Sequence, residues 1–381
     1  MKTHPGRGLG VPSTRNGFDD QLQQNRSTKT RPNQAGGRTS NTVKPEQEVQ
    51  LDVYGCTFSL TGSGSGALQH LADDFRFFAG KGVKNPVSVE LITGDPPYRE
   101  VPAGIATTYT PRNVAFTHGD CTYIDYSGRA LAIRDRQRES FRIYSRDLDI
   151  QYEAAYLFLL SRVGEYLDHH RMHRIHAMGV SVAGRAVLAV LPMGGGKSTL
   201  CLDLLLKYPE FSLLSDDSPF ISRDGRINAF PLRLGLLPGN ENDIPAEFRR
   251  TINRMEFGPK VLVNYEYFSD RVVPSADPGI VFLGKRTLSD DCRIEPVGAW
   301  EALKSMSINC VVGLGLYQGL EFVLHSSPLE LLAKTGIAWS RLQNARRLFS
   351  RSRVHRLILG RDRERNAATV RDFVARTFDE G

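Results

Sequence analysis

The stretch AVLAVLPMGGGKSTLCLDLLL, residues 186–206, constrains this chain more than any other. A short apolar run closed by a turn reads as a buried strand, and Leu200, Leu202, Leu204, Leu205 and Leu206 give the next segment a broad apolar helical face. Three consecutive glycines stand between them, and only glycine permits a backbone to bend and approach a partner that closely. A strand, a glycine turn and a helix N-terminus in that order direct successive N–H groups and the positive end of the helix dipole at one point. An α/β fold organised around an anion-binding turn is therefore expected.

Gly194, Gly195, Gly196, Lys197, Ser198 and Thr199 complete the second half of the pattern G-x-x-x-x-G-K-[ST], although Leu191 stands where its first glycine would be. That first glycine serves the turn out of the strand, whereas the last glycine, the lysine and the hydroxyl meet the nucleotide. The expectation is that the three glycines and Thr199 line the phosphates of ATP. Lys197 would reach the β- and γ-phosphates as a point charge, and Ser198 would ligate Mg²⁺.

Phosphoryl chemistry also needs carboxylates for the metal and for an acceptor hydroxyl. The segment FSLLSDD ends an apolar run with Asp216 and Asp217, about twenty residues beyond Lys197, and a helix followed by a return strand would bring that end beside the glycine turn. Upstream, His169, His170, His173 and His176 cluster without H-E-x-x-H spacing and among arginines, which argues against a metal site. His176 opens HAMGVSV, Ala183–Gly184 and RAVLAVL, a strand–turn–strand unit leading straight into the glycines.

The order His176, hairpin, G-G-G-K-S-T and LLSDD resembles the catalytic domain of HPr kinase/phosphorylase and its relatives, whose fold is akin to phosphoenolpyruvate carboxykinase; the likeness covers roughly residues 170–285. It implies a P-loop kinase domain of that type. It also implies Asp216 as general base, Asp217 as a metal or phosphate-shell carboxylate and His176 beside the transferred phosphoryl, with the roles of the two carboxylates interchangeable. The bifunctional members carry E-I-R-G-L-G after the carboxylate strand. Here AFPLRLGLLPG keeps Arg233 without a preceding glutamate, which points away from a phosphorylase activity and towards the kinase-only relatives. Arg233 either neutralises the transferred phosphoryl or is a surface ion-pair arginine; Lys260, in GPKVLV, is a weaker candidate of the same kind, with a solvated strand-end lysine the favoured reading.

With 381 residues and no apolar run near the ~20 needed to cross a bilayer, two domains and a cytoplasmic location are expected. The five cysteines are scattered without C-x-x-C spacing and are read as reduced thiols. Lys and Arg exceed Asp and Glu by eight to four in residues 1–50 and by eleven to five in 341–381, so the positive charge lies in the tails. Without interleaved aromatics this disfavours nucleic acid. Residues 1–49 are polar and Gly/Pro-rich and are expected to be disordered. A smaller α+β N-terminal domain is assigned to 50–148, the α/β P-loop kinase domain to 149–335 and a basic helical segment to 336–381. The expected activity is transfer from ATP, with Mg²⁺, to a hydroxyl, in the first instance serine of a protein or peptide. A non-catalytic nucleotide sensor and a kinase of a small alcohol are the alternatives, and self-association is left open.

Overall fold

The computed structural model describes residues 47–62, 66–192, 194–241, 243–255, 258–306 and 328–379. The expected tail lies outside them up to residue 46, as does Cys310. Among the described residues the first strand starts at Gln47, within the segment 1–49 expected to be disordered.

The chain is a mixed α/β protein with several sheets. The first sheet holds β1 (Gln47–Val53), β2 (Cys56–Gly62), β3 (Val87–Thr93), β4 (Ala106–Tyr109), β5 (Val114–His118), β6 (Cys121–Asp125), β7 (Ala130–Asp135) and β8 (Ser140–Ser145) in the order 1-2-3-8-7-6-5-4. Tyr54 and Gly55, both at positive φ, close the β1–β2 hairpin, and Asp52 Oδ1 accepts from the Gly55 N–H at 2.7 Å. Such a two-residue turn matches the strand twist. Helix α1 (Gly66–Asp74) and the long α2 (Leu148–His169) pack on this sheet, α2 being capped by Asp147, which accepts from the N–H groups of Asp149 and Ile150. Phe141 of β8 stacks on Phe158 of α2 at 4.2 Å between centroids. Helix α2, expected at the head of the second domain, shares one core with the first sheet and with Phe220, Phe230, Leu232, Ile252 and Leu262.

The second sheet contains β9 (His173–Arg174), β10 (Met178–Val182), β11 (Arg185–Val190), β12 (Ser212–Ser215), β13 (Phe220–Ile221) and β14 (Ile227–Asn228). A three-stranded sheet follows from β15 (Leu234–Leu236), β16 (Arg249–Arg254) and β17 (Gly258–Val263), after which β18 (Ser275–Arg286), β19 (Arg293–Pro296) and β20 (Arg353–Leu359) return to the second sheet. Its helices are α3 (Lys197–Lys207), α4 (Ala299–Met306), α5 (Pro328–Ser350) and α6 (Arg363–Asp379).

Strand β11 explains why its sequence is apolar throughout. Val187 and Ala189 join the core beneath α3 and α6, while Ala186, Leu188 and Val190 join the opposite core with Ala345 and Leu348 of α5. A strand covered on both faces loses the polar alternation of a half-exposed one. Strands β11, β18 and β20 run parallel, and β10 pairs antiparallel with both β11 and β12. The C-terminal ends of β11 and β12 consequently face the same way, as the return-strand reasoning requires.

The segment 336–381 differs from expectation. It holds β20 between two helices, and the second sheet does not end at residue 335. The strand was hidden because Arg353, His355 and Arg356 interrupt its apolar alternation; Arg356 is matched by Glu295 at 3.2 Å and also pairs with Glu301.

Candidate functional site

Val190 ends β11, and the chain turns through Leu191 and Pro192 into the glycines. Leu191 is buried, and its side chain occupies the space a Cβ would need on Gly284 of β18. A core-filling leucine has thus replaced the entry glycine of the pattern, with the turn supplied further on. Gly194 and Gly196 have φ of +72° and +99°, in the left-handed region. A Cβ on Gly195 would stand 2.9 Å from both Leu191 Cβ and the Pro192 carbonyl oxygen. Gly196 is the N-cap of α3, so Lys197, Ser198 and Thr199 form its first turn and the helix dipole points into the loop.

Lys197 is buried. Its ammonium donates to the Leu191 carbonyl and to His176 Nε2, each at 2.9 Å, and lies 3.5 Å from Asp217 Oδ1. Because an ammonium only donates, His176 Nε2 accepts and the ring is neutral with its proton on Nδ1. Burial holds the His176 pKa below its ordinary value, and Lys197 adds to that while Asp217 opposes it. His176 Nδ1 stands 3.4 Å from Asp217 Oδ1 but is not in hydrogen-bond geometry with any partner.

Ser198 Oγ donates to Asp216 Oδ2 at 3.0 Å, and the Gly235 N–H reaches the same oxygen at 3.4 Å. Asp216 Oδ1 is buried without a hydrogen-bond partner. Burial, then the neighbouring Asp217, push the Asp216 carboxyl up to about 6, against the opposing pull of Lys260 and the two hydrogen bonds. Asp217 is half-exposed. The two adjacent carboxylates thus occupy different settings: Asp216 with Ser198, and Asp217 with Lys197 and His176. Sequence reasoning had grouped Ser198 with Asp217 as metal ligands.

Lys197, Ser198, His176, Asp216 and Asp217 therefore meet at the C-terminal ends of β11 and β12, with Gly194–Gly196 beside them. Thr199 is half-buried in the same helical turn. Arg233 is drawn elsewhere. Its guanidinium lies 3.5 Å from the Tyr156 ring centroid and 3.3 Å from Asp74 Oδ2, and Asp74, wholly buried, also receives Arg250 at 2.8 Å and the Tyr152 hydroxyl. Arg233 is neither at the carboxylate pair nor at the surface; it ties the residue just before β15 to α1 and α2. Lys260, read as solvated, is instead half-buried against Gly235.

Sequence reasoning missed Arg286. It ends β18, and its Nη1 lies 3.7 Å from where a Cβ on Gly196 would stand, so a cation borders the glycine turn. The signal was a basic pair closing the apolar run GIVFLG, but its place depends on the parallel pairing of β18 with β11. Among the described residues no cluster of three or more His, Cys, Asp or Glu side chains is arranged to hold a metal unaided. Mg²⁺ in nucleotide sites takes only one or two protein ligands, the rest being phosphate and water. The Ser198 hydroxyl and the half-exposed Asp217 carboxylate fit that demand. Among the described residues no helix is long and apolar enough to cross a membrane. Comparison of the chain with protein-family models and with curated proteins gives no match.

Proposed function

We propose that this chain is an ATP- and Mg²⁺-dependent kinase of the HPr-kinase-like type, transferring the γ-phosphoryl group to a hydroxyl, serine of a protein or peptide being the acceptor class. The observation that carries the reading is the meeting of Lys197 and Ser198, from the first turn of α3, with Asp216 and Asp217 at the end of β12 behind a three-glycine turn.

In this reading the N–H groups of the glycine turn and the α3 dipole bind the phosphates. Lys197 exchanges its carbonyl and imidazole partners for phosphate oxygens. Ser198 and Asp217 are the residues to hold Mg²⁺, which when bound neutralises charge on the phosphates. Asp216 accepts the proton of the acceptor hydroxyl as the oxygen–phosphorus bond forms and the bond from γ-phosphorus to the bridging oxygen breaks, releasing ADP. A carboxylate raised towards neutrality suits that task better than an ordinary one. Neutral His176 orients Lys197, and Arg233 holds β15, whose Gly235 N–H steadies Asp216.

Binding is tested by thermal unfolding. Mg·ATP at about 100 times its Kd should stabilise the protein by about 2.7 kcal/mol, and Lys197→Met should lose most of that shift. A Lys197→Met protein that keeps the full shift contradicts the assignment of the loop.

A further inference from the structure

Lys260 stands on β17, opposite Ile252 of β16, and its side chain runs across β15. The position a Cβ would take on Gly235 is 2.1 Å from both Cε and Nζ of Lys260, so the ammonium rests on the Gly235 backbone. The N–H of that same glycine donates to Asp216. The charges of Asp216 and Asp217 both act on Lys260, with Asp216 the stronger, while burial pushes its pKa down and Arg233 and Arg254 add to that. Among the described residues Lys260 nevertheless makes no hydrogen bond or ion pair. A half-buried ammonium beside two carboxylates, with its donors left to water, is placed to take an anion.

The other cations nearby are engaged: Lys197 holds Leu191, His176 and Asp217, Arg286 at the glycine turn donates to the Gly360 carbonyl at 3.5 Å, and Arg233, away from the carboxylate pair, holds Asp74. We propose that Lys260 is a catalytic residue that contacts the oxygens of the phosphoryl group during transfer, reaching them from the β15 side while Lys197 serves the glycine-turn side, and that position 235 is glycine to leave that path open. This rests on the kinase reading. Charge spread over the three oxygens of a transferring phosphoryl is what a preorganised cation stabilises. A contact of this kind matters little to bound ADP and much to the transferring group.

The test is calorimetric titration of Mg·ADP, with and without aluminium fluoride as a mimic of the phosphoryl in flight, into wild type, Lys260→Met, Lys260→Arg and Gly235→Ala. A Cβ at 235 meets only the flexible end of the lysine among its close neighbours, so Gly235→Ala displaces the ammonium while keeping the charge in the protein. Mg·ADP affinity should stay within about threefold of wild type in all variants. The tightening brought by the fluoride should fall by at least about tenfold in Lys260→Met and Gly235→Ala and be partly kept in Lys260→Arg. Equal tightening in wild type and Lys260→Met overturns the role of Lys260 alone. A wild-type protein that does not bind Mg·ADP, or binds it without tightening, overturns the kinase reading and this inference with it.

Discussion

Ser198 Oγ donates to Asp216 Oδ2 at 3.0 Å, joining the helix after the glycine turn to the end of β12 across eighteen residues of sequence. The carboxylate that receives this bond is pushed up to about 6 by burial and by Asp217, from an ordinary value of 3.8, with Lys260 pulling the other way. A folded-state pKa above the unfolded one means that the group's contribution to stability is full below about pH 4 and is lost as pH rises through about 6. In metal-free protein, the stability of wild type relative to Asp216→Asn should therefore fall by on the order of 2–3 kcal/mol between pH 4 and pH 7. Urea unfolding of both proteins across that range checks this, and a difference that does not change with pH contradicts it.

Asp74 should be a stability residue. It has no exposed surface and takes Arg233 at 3.3 Å and Arg250 at 2.8 Å, with Tyr152 on the same carboxylate. Removing it leaves two largely buried guanidinium groups without their shared counter-charge, which costs about 3–5 kcal/mol. Denaturant unfolding of Asp74→Ala measures the loss, and a change under about 1 kcal/mol would show the arginines to be compensated elsewhere.

Gly195 should be intolerant of a methyl group for a reason distinct from its neighbours. Gly194 and Gly196 need glycine for their positive φ, whereas a Cβ on Gly195 collides with Leu191 Cβ and the Pro192 carbonyl. Because one of those atoms is backbone, the turn itself must move. Gly195→Ala should lower Mg·ATP affinity by about tenfold or more and stability by about 1–3 kcal/mol. Gly184→Ala is the control: it has a positive φ of +77° with no close neighbours and lies in the β10–β11 turn, so it should cost only stability. Equal ATP affinity in both variants would sink the steric argument.

What could be read from the sequence was local. The β10–β11 hairpin, the glycine turn, α3 and the strand ending in Asp216 and Asp217 each lie within a few residues of their own signals, and each forms as expected. What escaped depends on pairing between distant segments. Arg233 meets Asp74 across 159 residues, so nothing near Arg233 reveals that it is buried. Lys260 lies over Gly235 because β15 and β17 are partners, and Arg286 reaches the glycine turn because β18 runs beside β11. Strand β20 was lost to its own basic residues, which satisfy their charges against Glu295 and Glu301. Local pattern set the elements, and long-range pairing set the boundaries and the cations around the site.

The proposed phosphoryl transfer, with Asp216 as base, is tested by labelling. Wild type and Asp216→Asn are incubated with γ-labelled ATP, Mg²⁺ and a whole-cell protein extract, while ATP affinity is measured on the same preparations. The substitution keeps the volume and removes the basic charge, so ATP affinity should stay near that of wild type while label transfer to protein serine falls by roughly 10²–10⁴-fold. Equal labelling by both proteins would remove Asp216 as base, and firm ATP binding by wild type with no labelled product in any fraction would rule out the transfer.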